Sequence, residues 1–306
     1  MKMCVTGGAG FIGSNLVDRL LKDGHEVVVI DDLSSGKTEN LPENRNLKFI
    51  KKSICDNISK DVDGCTAVFH LAANPQVQYS IQNPIETNNV NLGGTLNVLD
   101  ACVKKGVKRF VFSSSCSVYG DQDRLPYIET MKPNPLSPYA LHKLTGEHYC
   151  RLFRIIHNME TVSLRYFNVY GPRQNPAGNY ACLVPKVITL FHSGKPPLIN
   201  GDGNQTRDFI FVEDVVEANI LAATTRNAAA FGEIFNVGEG IHRSVNEVVS
   251  TIKRISGSSI EPIHGPPVIE PRNALADVTK SAKILGWKPR MSFEEGLKKT
   301  HEYFTR

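Results

Sequence analysis

Two stretches of the 306-residue chain carry side chains spaced for chemistry. Ser113-Ser114-Ser115-Cys116-Ser117 follows the apolar run Arg109-Phe110-Val111-Phe112. Ser137-Pro138-Tyr139-Ala140-Leu141-His142-Lys143 follows a loop rich in Pro and Asp. The second stretch predicts a helix start, because Pro suits a first helical position and Ser137 can cap the free amides. Tyr139 and Lys143, four apart, then share a face. A free phenol, with a pKa of about 10, is a poor base at neutral pH. A cation one turn away favours the phenolate and would make the pair a general base. Spacing alone equally allows a solvated Tyr–Lys pair on a helix surface. His142 lies off this face and is expected to be exposed to solvent. Cys116 has no adjacent base to activate it and is expected to fill space.

The amino-terminal end decides between those readings. Lys2 to Thr6 predicts a strand, Gly7-Gly8-Ala9-Gly10-Phe11-Ile12-Gly13 a turn, and Ile12, Leu16 and Leu20 the apolar stripe of a helix ended by Gly24. Glu26 to Ile30 predicts a second strand with Asp31 at its tip. Strand, glycine turn, helix, strand and terminal acid form a dinucleotide-binding unit. The glycines at 7, 10 and 13 let backbone amides and a helix N-terminus face a pyrophosphate. Asp31 can accept both ribose hydroxyls and would repel a 2′-phosphate, so NAD is expected over NADP.

The elements that must hold these groups follow in alternation. Leu47 to Lys51 and Ala67 to Leu71 predict further strands, Asn83-Pro84 a long helix to about Lys105, Pro138 to His157 another helix, and Thr161 to Arg165 a strand. His70-Leu71-Ala72-Ala73 puts small residues where a backbone must approach a cofactor. The expected fold is α/β, a doubly wound parallel sheet of the Rossmann type covered on both faces. Past Tyr166 to Arg173 the alternation lapses. Leu183 to His192 predicts a helix, Asn200 to Gly203 a turn and Asp208 to Phe211 a short strand, while Ser244-to-Glu247 and Ser292-to-Glu295 are capping boxes. We expect residues 1–168 to form the dinucleotide domain, with 208–238 returning to it. A smaller α/β substrate domain comprises 169–207 and 239–306.

Composition narrows the class. Hydrophobic content of 41% and charged content of 22% are ordinary for a globular protein. A net charge of +4 with scattered Lys and Arg does not indicate nucleic acid. No apolar run spans a bilayer, and the residues before the first glycines are too short for a signal-peptide core. Seven dispersed cysteines without Cys-x-x-Cys spacing are expected to be reduced thiols of a cytoplasmic protein, not metal ligands.

Thr6 to Gly13, Ser113 to Gly120 and Tyr139 to Lys143 together resemble the extended short-chain dehydrogenase/reductases. Tyr166 to Arg173, Asn200 to Phe209 and Ala276-Asp277-Val278-Thr279-Lys280 narrow the resemblance to NAD-dependent nucleotide-sugar 4-epimerases. Leu136 to Lys143 and Asn179 to Pro185 look most like those acting on UDP-N-acetylglucosamine. The resemblance implies Tyr139 as base for the sugar 4-hydroxyl, Ser115 as its hydrogen-bonding partner, and Lys143 as the group that lowers the phenol's pKa and holds the nicotinamide ribose. It implies cofactor contacts at Gly7, Gly10, Phe11, Ile12, Gly13, Asp31, Asp32, Ser53, Ile54, Leu71, Ala72, Ala73, Asn88, Ser113 and Tyr166. It implies diphosphate contacts at Asn168 and Arg207, with Arg272 a further candidate. Leu183 and Val184 would border the uracil, Glu270 would hold the uridine ribose, and Asn200 would line the substrate site. A salt bridge to Asp208 or Asp202 is the competing role for Arg207, and a surface pair for Arg272. The helices from Pro84 and Pro138 resemble those through which this family pairs into homodimers.

Ala274 stands where members confined to glucose and galactose tend to carry a bulky aromatic, so acceptance of both N-acetylhexoses and hexoses is expected. The pattern departs at Ser53 (an Asp is usual), at Pro75 (a Lys in some 4-epimerases), and at Pro267 and Ile269 (an Arg and a Gly). Cys116-Ser117 replaces the acids that a dehydratase needs to expel water. The rivals are an epimerase of plain UDP-glucose alone, one acting on a UDP-uronic acid, and a non-catalytic NAD-binding regulator.

Overall fold

The computed structural model describes residues 1–177, 182–267 and 272–306. Short apolar runs make strands β1 (Lys2–Thr6), β2 (Glu26–Asp31), β4 (Ala67–His70), β5 (Arg109–Ser115) and β6 (Glu160–Tyr166), largely buried on both faces, and the half-exposed edge strand β3 (Leu47–Lys51). With β10 (Glu233–Val237) they form a seven-stranded sheet in the order 10-6-5-4-1-2-3, parallel throughout. The order reverses between β1 and β4, which opens a crevice at the carboxyl ends of the strands.

Helix α1 (Phe11–Lys22) packs beside α7 (Val212–Thr224) on one face of this sheet. On the other face lie α2 (Val77–Gln82), α3 (Pro84–Asn88), α4 (Gly94–Lys104) and α5 (Pro138–His157). The helix expected from Pro84 to Lys105 is interrupted at Asn89–Gly93, where one π-type turn takes an extra residue. That turn buries Asn91 and leaves Asn88 exposed. Val98, Leu99, Ala101 and Cys102 pack inward, while Leu96 is exposed.

A second lobe collects β7 (Asn168–Tyr170), α6 (Leu183–His192), β8 (Leu198–Asn200), β9 (Thr206–Phe211), β11 (His242–Ser244), α8 (Val245–Ser256), β12 (Ile263–Gly265) and α9 (Phe293–Thr305). The small sheet 11-9-7 carries α6, α8 and α9 on a core of Val184, Ile188, Phe209, Val248 and Leu297. Residues 208–211 therefore belong to this small sheet, and the return to the large one begins with α7 and ends in β10. The box at Ser244 is complete, with both reciprocal bonds formed. At Ser292 the hydroxyl caps Glu295 N, and the glutamate answers to the hydroxyl. Among the described residues no helix is long and apolar enough to cross a membrane.

Candidate functional site

At the tip of β1 the backbone turns through Gly7 with φ +71°, and a side chain there would strike the Ala72 backbone. A Cβ on Gly13 would run into the Gly7 carbonyl, so this glycine is what lets α1 start against the turn. Gly10 is the N-cap of α1 and no side chain caps it, which leaves its first amides facing the crevice mouth. Asp31 is buried at the end of β2. One carboxylate oxygen accepts from Ala9 N at 3.0 Å and the other from Leu33 N at 2.8 Å. Burial pushes its pKa up, and the two amides hold it down. The acid thus ties the glycine turn to the second strand with lone pairs to spare. Asp32 lies exposed and accepts from Ser34 N. Phe11 and Ile12 pack on the core of the second lobe, so the turn touches both lobes.

The other expected cofactor residues surround this crevice. Ser53 Oγ accepts from Cys55 N at 3.2 Å, and Ile54 packs beneath Gly94. Leu71, Ala72 and Ala73 continue β4 half-buried, with Ala72 N within 3.4 Å of Thr6 Oγ1. Pro75 is exposed. Two polar residues here were not anticipated in this role. Asn91 exchanges hydrogen bonds with the backbone of Asn74 at 2.7 and 3.0 Å. His70 bridges Thr6 Oγ1 (2.7 Å) and Thr95 Oγ1 (2.9 Å). Burial, aided by Lys143, pushes the pKa of His70 down to about 3 and keeps the ring neutral.

The serine run ends β5 and faces α5 across the crevice floor. Ser137 caps α5 by accepting from Ala140 N, and Ser80 Oγ on α2 accepts from Tyr139 N at 3.1 Å. Ser115 Oγ accepts from Ser117 N at 3.1 Å and lies close enough to Tyr139 to lower the phenol's pKa. Lys143 Nζ lies 5.9 Å from the centre of the Tyr139 ring and donates to the Ser113 carbonyl at 2.6 Å. The sharing of one face is therefore as expected, but the electrostatics are not. Burial pushes Tyr139 up to about 12, against the influence of Ser115, and pushes Lys143 down to about 8. By the chain's own groups Tyr139 is a neutral phenol, because desolvation outweighs what its polar neighbour does to lower it. His142 also departs from expectation: it is buried, its Nδ1 has no partner, and burial lowers its pKa. The cause is tertiary: α2, α3 and the π-turn pack on α5 as well as the sheet, so more of the helix is covered than its own pattern indicates. Cys116 is inert, its thiol pushed up to about 12 by burial despite a nearby Arg207. Tyr166 sits beside Ser115 in register, its hydroxyl bonded to Asn219 Oδ1 at 2.9 Å.

On the second lobe, Asn168 Nδ2 donates to the Asp208 carbonyl at 3.2 Å. Arg207 Nη1 donates to the carbonyls of Thr206 and Arg272. Asp202 pairs instead with Arg272, at 3.0 Å on the exposed surface. Asp208 is buried and accepts from the amides of Glu239, Gly240 and Ala276; its pKa is pushed to about 6 by burial. Sequence spacing gave no hint of that staple. Leu183 and Val184 open α6, and Asn200 lies exposed at the end of β8 with its carbonyl taken by Gln205. Ala274 is buried in a cluster with Val118, Tyr119, Tyr127, Phe167 and Ala276, against which Cys116 packs. It thus borders the strand end that carries Ser115. Pro267 lies exposed near Gly201. Asn179, Ile269 and Glu270 lie outside the described residues.

Known proteins share this arrangement. The UDP-glucose 4-epimerase of Mycolicibacterium smegmatis is 41% identical over 99% of this chain and 98% of its own. A crystal structure of UDP-glucose 4-epimerase with UDP-glucose, from Thermotoga maritima, matches with a TM-score of 0.95 at 41% identity, covering 99% of this chain and 98% of that one. The UDP-N-acetylglucosamine 4-epimerase of Methanobrevibacter ruminantium, in complex with UDP-N-acetylmuramic acid, matches with a TM-score of 0.95 at 37% identity, covering 99% and 97%. Residues 3–238 match the model of the NAD dependent epimerase/dehydratase family, and to that family the chain belongs.

Proposed function

We propose that this protein is an NAD-dependent epimerase that inverts C4 of a UDP-sugar through a 4-keto state, with Tyr139 as the base. The observation that carries the reading is the juxtaposition of Ser115, at the carboxyl end of β5, with Tyr139 at the start of α5, and with Lys143 one turn away donating to the Ser113 carbonyl. The crevice fits NAD: the glycine turn, the uncapped start of α1 and the Asp31 carboxylate match pyrophosphate and ribose. NAD held there would supply reversible hydride acceptance at C4, with no net oxidant consumed, and its positive nicotinamide would favour phenolate.

The chain's residues do the rest. Tyr139 takes the proton of the sugar 4-hydroxyl and gives it back, while Ser115 holds the same oxygen. Lys143 supplies the cation that the buried phenolate needs. Asn168 and Arg207 are the candidates for the diphosphate on the second lobe, with Arg272, exposed and paired with Asp202, a further one. Dehydration finds no acid: Cys116 stays a thiol, and Ser117 is a hydroxyl.

Ala274 supports acceptance of both N-acetylated and plain UDP-hexoses, since it is small where an aromatic would take up more room, in a cluster against which Cys116 packs. Residues 1–168 with the returning α7 and β10 carry the cofactor, and the second lobe carries the nucleotide sugar. The aliphatic stripe Leu141, Leu152, Ile155 and Ile156 on α5, beside exposed Ile85 and Leu96, fits a four-helix homodimer contact. Seven unpaired cysteines agree with the reducing cytoplasm.

The test is turnover of UDP-GlcNAc, UDP-glucose and UDP-glucuronate by purified protein with NAD. Tyr139→Phe should abolish epimerisation with all of them and leave NAD binding near normal. Near-normal turnover in that variant would place the base elsewhere.

A further inference from the structure

One buried charged pair plays no part in the chemistry above. Glu147, on α5, and Arg165, on β6, are 2% and 1% exposed. They meet in a bidentate contact, Arg165 Nε to Oε1 at 2.8 Å and Nη2 to Oε2 at 2.7 Å. Replacing a buried ion pair by apolar residues is often neutral for stability, so stability alone is a weak reason to find one here. Its neighbours suggest another. Ser114, the residue before Ser115, donates its hydroxyl to Glu147 Oε1 at 2.5 Å. Glu147 stands one helical turn beyond Lys143, as Lys143 stands one turn beyond Tyr139. The Arg165 guanidinium lies 4.5 Å over the Tyr119 ring, whose hydroxyl donates to Asn236 Oδ1. Asn236 in turn donates to the carbonyls of Tyr127 and Asp277, beside the segment that carries Ala274.

We propose that Glu147, clamped by Arg165, is a positioning residue: it fixes the end of β5 through Ser114 and sets the charge state of Lys143, so that Ser115, Tyr139 and Lys143 meet the substrate in register. The inference rests on the assignment of those three residues above.

The surroundings of Lys143 single out Glu147. His70 of β4, Cys150 and Glu147 of α5 and the Ser113 carbonyl of β5 face it, with His142 and Tyr139 on its own helix. The His70 ring is neutral down to about pH 3, and the Cys150 thiol is pushed up to about 12 by burial. Glu147 is the carboxylate in that set. Burial disfavours the Lys143 ammonium, and Cys150 and then Glu147 oppose burial; with the thiol protonated, Glu147 is the one that carries charge at neutral pH.

Two variants test this, measured as complete steady-state profiles with Tyr139→Phe alongside. Ser114→Ala leaves both charges in place and cuts only the link to β5. It should lower kcat by about tenfold with KM for the UDP-sugar little changed, since misplacement costs turnover more than binding. Glu147→Gln keeps the shape and removes the charge. Its kcat should fall further, and the alkaline limb, where Lys143 loses its proton, should move to lower pH by about one unit. A merely structural role would lower activity equally at all pH values. Wild-type kcat in Ser114→Ala, or a loss in Glu147→Gln without displacement of the limb, overturns the proposal. Should Glu147→Gln not fold, Ser114→Ala decides alone. An active Tyr139→Phe has a different meaning: it removes the assigned base, and the positioning role falls with it.

Discussion

Lys143→Met is the sharpest probe of the site, because it removes one charge and nearly nothing else in volume. The ammonium lies 5.9 Å from the centre of the Tyr139 ring. At about 6 Å and an effective dielectric of about 20, a unit charge stabilises the phenolate by about 3 kcal/mol. That corresponds to about two pKa units on Tyr139. The sign follows from the acid: a neutral phenol with a raised pKa yields phenolate only at higher pH. The acid limb of kcat should therefore move up by about two units, with turnover at neutral pH down about a hundredfold and partial recovery toward alkaline pH. The fall that wild type should show as Lys143 titrates near 8 should vanish. The assay is epimerisation of a UDP-hexose across pH with saturating NAD, backed by thermal unfolding, since the Ser113 carbonyl loses its donor. A loss of the same size at every pH would refute the reasoning and leave Lys143 only a cofactor-holding role.

Ala274→Tyr should depress kcat/KM on UDP-N-acetylhexoses selectively, because the position borders the site in a packed cluster; equal losses on both substrate kinds would discredit the size argument. His142→Leu should leave turnover intact and raise thermal stability, since it removes a buried nitrogen without a partner. The folded pKa of His142 is depressed, so wild-type stability is lost as pH falls below its unfolded value of about 6.5, and the variant should lose less over that window. If the proposed homodimer forms through α5, Leu152→Glu together with Ile155→Glu should halve the mass seen by light scattering, and an unchanged mass would refute that contact.

Local signals carried most of the scaffold. Ser137 and Pro138 set the start of α5 where the capping rules put it, and α6 occupies the expected Leu183–His192. The glycine turn, Asp31 and the serine run each depend on contacts near in sequence or on a repeating unit, and they stand where the pattern put them. Long-range polar pairing was not legible. His70 is buried between hydroxyls 64 and 25 residues away, and Ser114, Glu147 and Arg165 meet only once β5, β6 and α5 are packed. The Tyr–Lys spacing gave the right face and the wrong resting charge, because spacing carries no information about desolvation. His142 went inward for a similar reason: which side of α5 is covered depends on α2, α3 and the π-turn, not on the helix's own composition.

The π-turn at Asn89–Gly93 has a consequence for how this surface can evolve. A continuous α-helix with the same number of residues would carry everything beyond this stretch round by about 100° more, so the π-turn absorbs its extra residue and keeps α3 and α4 in phase. Asn91 lies within the bulge and makes both hydrogen bonds to Asn74. Losing one residue here would close the turn into plain helix with both flanks where they are, so the cost of a deletion should fall on the Asn91–Asn74 contact and not on the packing of the two helices.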